Sequence, residues 1–155
     1  MAADGPLASA GQMKPPPPLR VLVDTNVVLD LLLQRDPWYS QCQAFWQARD
    51  AGRLVAYLPA SVLTDIYYIS RRIVGNDLAH QIVTRCIREF GLLALYRGIL
   101  EAALALPGTD FEDNVQIACA NAAHLDFIVT RNIADFRQSP IQALEPPDLV
   151  KRLAP

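Results

Sequence analysis

From Leu19 onward, short apolar runs alternate with longer amphipathic segments. A chain patterned this way buries its apolar residues most readily in a sheet whose strands are joined by helices. Leu19 to Val23 reads as a buried strand that stops sharply at Asp24. Asn26 to Leu33 and Trp38 to Ala51 have helical spacing, the second stopped by Gly52. Leu54 to Leu58 is the next strand, and Pro59 is expected to open a helix to about Arg72, because a first-turn proline gives up no hydrogen bond. Gly75-Asn76 breaks the chain before a helix from about Asp77 to Glu89, a strand near Phe90 to Leu95 and a helix from Arg97 to Leu106. A further helix is predicted from Thr109 to His124, a strand over Phe127 to Thr130, a weak fifth strand near Ile141 to Leu144 and a terminal helix over Pro147 to Leu153. This βαβ order predicts a mostly parallel sheet with helices on both faces, whose functional crevice lies at the carboxyl ends of the strands.

The 155 residues, 52% of them hydrophobic, suffice for one domain with its own core. A net charge of -2 excludes a whole-domain basic field, so nucleic-acid binding has to be argued from a site. Cys42, Cys86 and Cys119 are odd in number and unpaired in spacing, which predicts reduced core thiols, and with only two histidines a zinc site has little to draw on. Residues 1–18 hold five of the twelve prolines and read as a disordered or extended leader to a domain over 19–155. Neither a secretory signal nor a membrane span is visible, so the protein is expected to be cytoplasmic and to have no membrane partner.

Several carboxylates fall where the crevice is expected. Asp24 leaves the end of the first strand, although Asp24, Thr25 and Asn26 all compete to cap the next helix. In Thr109-Asp110-Phe111-Glu112-Asp113, Thr109 and Glu112 have the spacing of a capping box, and Asp110 is favoured in the first turn by the helix dipole. Asp113 falls on the stripe of Ile117 and Ala120, so it should point inward, and no lysine or arginine stands at helical spacing to pair with it. Asp65 lies among Leu63, Ile66 and Tyr67, where a solvated face is the commoner role. Asn132 and Asp135 follow the fourth strand, where turn roles are equally cheap. Two carboxylates about 4 Å apart repel by about 4 kcal/mol at an effective dielectric near 20, so convergence of several needs a cation, and oxygen ligands favour Mg2+ or Mn2+.

The run Val21-Leu22-Val23-Asp24-Thr25-Asn26-Val27-Val28-Leu29-Asp30 resembles the opening motif of PIN-domain nucleases, Thr109 to Ala120 their third acidic motif, and Ile128 to Asn132 with Asp135-Phe136 their closing motif. The resemblance implies a Rossmann-like three-layer α/β/α domain and a Mg2+- or Mn2+-dependent endoribonuclease acting on RNA. Many such proteins are the toxin of a toxin/antitoxin pair and form homodimers. It assigns Asp24 and Asp113 as metal ligands, and Asp65 where the family more often has glutamate. Asn132 stands where many relatives have aspartate, so the fourth ligand is Asp135, Asp110 or absent, and Thr130 and Asn132 are expected to orient water or phosphate. Arg71, Arg72 and Arg131 are expected as a rim for RNA phosphates, though Arg71 and Arg72 also suit a helix C-terminus. The alternative is a catalytically weak or inactive PIN domain that binds RNA or a protein. A phosphatase with a nucleophilic Asp24 is a third reading, weakened by the lack of an Asp-x-Asp pair.

Overall fold

The computed structural model describes residues 14–153. Most of the expected leader lies outside the described residues, and 14–18 are exposed and belong to no helix or strand. The elements in order are β1 (Leu19–Val23), α1 (Thr25–Leu32), α2 (Trp38–Asp50), β2 (Leu54–Pro59), α3 (Val62–Val74), α4 (Asn76–Glu89) and β3 (Gly91–Leu93). They continue with α5 (Arg97–Ala105), α6 (Phe111–Ala122), β4 (Phe127–Val129), a 3-10 turn (Ile133–Phe136), β5 (Ala143–Leu144) and α7 (Pro146–Val150). The five strands pair in the order β3-β2-β1-β4-β5, all parallel.

The centre strand explains the layering. Val21, Leu22 and Val23 are fully buried because successive side chains leave opposite faces and both faces are covered. Val21 and Val23 pack in one core with residues of α1, α2, α3, α4 and α7, while Leu22 packs in the other with residues of α5 and α6 and with Ile128. Sequential elements lead away from β1 on the β2 side and return on the β4 side, so the strand order reverses at β1. Crevices in open parallel sheets form at such a point.

One local expectation is corrected here. Pro59 closes β2, in register with Leu93, and the next helix starts only at Val62. A proline tolerates a strand end as readily as a first helical turn, so its identity could not choose between them. The break at 75 is as expected: Gly75 has φ +85°, which a residue with a β-carbon rarely adopts, and it turns α3 into α4. The three cysteines are free and buried, and burial pushes each thiol up to about 11.

Candidate functional site

Asp24 sits where β1 ends and α1 begins. Its amide donates to the Val129 carbonyl at 2.9 Å, which ties the strand end to β4, and its own carbonyl accepts from Val27 and Val28. Although it occupies the capping position of α1, its side chain makes no capping bond. The carboxylate is instead held by two neutral donors, Gln116 Nε2 to Oδ1 at 3.3 Å and Thr130 Oγ1 to Oδ2 at 2.9 Å, and the residue is only 6% exposed. Gln116 is itself buried, and nothing in its sequence context marks it beyond a polar residue on an otherwise apolar helix face.

At the start of α6 the expected capping box is replaced. Asp110, not Thr109, caps the helix: its Oδ1 accepts from the amides of Glu112 at 2.9 Å and Asp113 at 3.2 Å. An aspartate carboxylate reaches amides two and three residues on as well as a threonine hydroxyl does, and here it starts the helix one residue later. Glu112 is thereby freed from the structural role expected of it. Its carboxylate accepts from Thr25 Oγ1 at 3.4 Å and joins the crevice, a placement that the capping-box reading hid.

Asp24, Asp65, Asp110, Glu112, Asp113 and Asp135 line one hollow of about 420 Å³, together with Thr25, Asn26, Tyr68, Ile69 and Asn132. Asp65 comes from the first turn of α3 and Asp135 from the 3-10 turn after β4. Thr130 lies beneath, fully buried, and serves Asp24 directly while accepting from the Asn132 amide at 3.0 Å. A hollow of about 510 Å³ lies elsewhere, but among the described residues only α4 lines it, with Glu89 as its one carboxylate.

The electrostatics follow from the crowding. Loss of water around Asp113, with Asp110, Asp24, Asp135 and Glu112 adding negative charge, lifts its carboxyl to about 7. The Glu112 carboxyl is also raised, by desolvation where it points into the crevice and then by Asp65, Asp24 and Asp110, against the pull of the Thr25 hydroxyl. Among the described residues no lysine or arginine lines the hollow. Among the described residues no three His, Cys, Asp or Glu side chains already form a group able to hold a metal ion. The donor set consists of oxygens without thiolate or imidazole, which suits a hard divalent cation.

The three arginines separate. Arg71 and Arg72 are exposed in the last turn of α3, with the Arg71 guanidinium 5.6 Å from the centroid of the Tyr68 ring at the crevice lip. Arg131, expected on the same rim, is turned inward: its Nε lies 3.0 Å from the buried Asp30 carboxylate and its guanidinium stacks 4.0 Å from the Trp38 ring centroid. A fully buried carboxylate draws a nearby cation, and that pairing was invisible in the local sequence.

A model of the PIN domain family matches residues 20–134. No curated protein matches the chain in sequence. Among solved structures, the DNA-bound VapBC of Salmonella typhimurium is similar with a TM-score of 0.65 at 14% identity, over 82% of this chain and 98% of that one. A toxin-antitoxin complex from Klebsiella pneumoniae is similar with a TM-score of 0.61 at 20% identity, over 81% and 97%. VapC20 of Mycobacterium tuberculosis, a sarcin-ricin loop cleaving toxin, is similar with a TM-score of 0.56 at 15% identity, over 70% and 86%. At such identities the likeness establishes the fold.

Proposed function

The chain belongs to the PIN-domain family, and from that premise we propose that its acidic crevice is the active site of a Mg2+- or Mn2+-dependent endoribonuclease. One observation carries this reading: six carboxylates from four separate stretches of chain line a single hollow that, among the described residues, no lysine or arginine lines. Asp24, Asp65 and Asp113 would hold the ion, with Asp135 beside them. When bound, such an ion supplies an activated water and offsets charge on the phosphoryl group.

The chain's own residues do the rest. Thr130 and Gln116 orient Asp24 in advance through neutral hydrogen bonds, which leave its negative charge uncompensated. Asp110 fixes the first turn of α6 and with it the backbone of Glu112 and Asp113. On the lip, Tyr68 is 56% exposed next to Arg71, so an aromatic face and cations stand together, an arrangement suited to single-stranded RNA; Arg72 adds to the charge. We further read residues 19–155 as the PIN domain and the protein as the toxin of a toxin/antitoxin pair, acting as a cytoplasmic homodimer. The solved toxin-antitoxin complexes of the same fold support the antitoxin partner. Among the described residues no helix is long and apolar enough to cross a membrane.

The test is cleavage of a labelled single-stranded RNA by purified protein with Mn2+. Cleavage should stop on chelation, and an Asp24→Asn protein that cuts at the wild-type rate would overturn the mechanism. A particle mass near twice the 17.1 kDa chain tests the homodimer. A second reading, a PIN domain that binds RNA or protein without cutting, is favoured by Asn132 in the closing motif and by the lack of a ready-made three-ligand group among the described residues. Folded protein without saturable Mn2+ binding would select it.

A further inference from the structure

Among the described residues, the carboxylate with the least exposure lies outside the crevice. Asp30 of α1 is 0% exposed, with Arg35 Nη2 2.8 Å from its Oδ1 and Arg131 Nε 3.0 Å from its Oδ2. Each arginine is fixed at a second point. Arg35 Nη2 donates to the Asn26 carbonyl at 3.1 Å, in the first turn of α1, and Arg131 lies against Trp38 at the start of α2. Asn26 and Asn132, neighbours of Asp24 and Arg131 by at most two residues, both line the crevice.

We propose that Asp30 is a positioning residue: through Arg131 it fixes the irregular segment Thr130-Arg131-Asn132 and thereby keeps the Thr130 hydroxyl on Asp24. The geometry is short and direct. Thr130 Oγ1 donates to Asp24 at 2.9 Å and accepts from the Asn132 amide at 3.0 Å, and the one residue between them is the one whose side chain is pinned. Through Arg35 the same carboxylate steadies the first turn of α1 on the other side of Asp24. A buried ion pair is a poor source of stability, since desolvation offsets much of the attraction and apolar side chains often do as well. What it adds here is position: without a hydrogen bond between them, the Asp30 carboxylate holds Arg131 by charge at 3.0 Å, while the Trp38 ring, 4.0 Å from the guanidinium, limits its movement. The purpose of this positioning rests on the nuclease reading; its existence does not.

The experiment follows amide hydrogen exchange by NMR in the full chain, wild type against Asp30→Asn, Trp38→Ala and Trp38→Phe, with Mn2+ affinity measured by calorimetry on the same proteins. Trp38 is 39% exposed, so its truncation loosens Arg131 without emptying the core. The Asn132 amide should exchange at least about tenfold faster in Asp30→Asn and Trp38→Ala beyond any change at the Leu22 amide, which follows global stability, and Trp38→Phe should restore protection. Mn2+ affinity should fall about tenfold in the first two and recover in the third, the size expected for a residue behind a metal ligand. Metal-free RNA affinity should stay within about twofold. Wild-type protection at Asn132 in folded Asp30→Asn and Trp38→Ala would overturn the proposal, as would weaker RNA binding with unchanged Mn2+ affinity, which would return Arg131 to the substrate rim. If the wild type takes up no Mn2+, the nuclease reading fails, and the exchange at Asn132 alone decides for or against the brace.

Discussion

Asp24 and Asp30 stand six residues apart on the same stretch of chain, both are withdrawn from water, and the fold treats them in opposite ways. Asp30 receives two arginines. Asp24 receives an amide and a hydroxyl, neither charged, and sits among five further acids lining the same hollow. The charge at Asp30 faces two cations supplied by the chain, whereas among the described residues no lysine or arginine lines the hollow around Asp24. The contrast separates a carboxylate that braces structure from one placed to meet something from outside, and it does so without reference to any relative.

The sharpest way to break this comparison is at Asp24. Asp24→Asn should lower RNA cleavage with Mn2+ by at least about a thousandfold, near 4 kcal/mol of barrier, measured as initial rates on a labelled strand. An equal rate would remove the distinction between the two aspartates. Next, Asp30→Ala leaves two partly buried guanidinium groups without their anion and should cost about 3 kcal/mol of stability in urea unfolding, the lower end of the range because both arginines retain some solvent.

Asp113 gives the opposite sign. Its carboxyl is raised from 3.8 to about 7, so the folded chain keeps a proton that the unfolded chain has released. That contribution is fully present below about pH 4 and is lost as pH rises through about 7. Without metal, Asp113→Asn should therefore flatten this fall and stabilise the fold above pH 7 by about 1 kcal/mol after allowance for solvent screening, as read by thermal unfolding across pH. Mn2+ should stabilise the wild type above pH 7 more than it stabilises the variant. The smallest effect is expected at the rim: Arg71→Ala and Arg72→Ala should each weaken RNA binding a few-fold and reduce the salt dependence by about one charge, with turnover of bound RNA unchanged.

The layered fold was legible because strand and helix periods differ and each run was long enough to show its own. Leu19–Val23 was read to the residue, and α2, α5 and α6 to within two residues at each end. Errors fell where one residue type serves two local roles. Pro59 suits a strand end as well as a helix start, and Asp110 and Thr109 compete for one cap. The second ambiguity had a consequence for the site, since the wrong cap assigned Glu112 to the backbone and hid it from the crevice.

By itself the sequence determined the parallel sheet, the strand end at Asp24 and the inward stripe that carries Asp113, because each follows from periodicity or from a motif read along the chain. Only the tertiary structure decided which donors hold Asp24, that Arg131 turns to Asp30 rather than to the rim, and that Glu112 joins the acids. Those choices are made between residues roughly 90 to 110 positions apart, where the nearest charge or hydroxyl in space is set by packing and not by spacing.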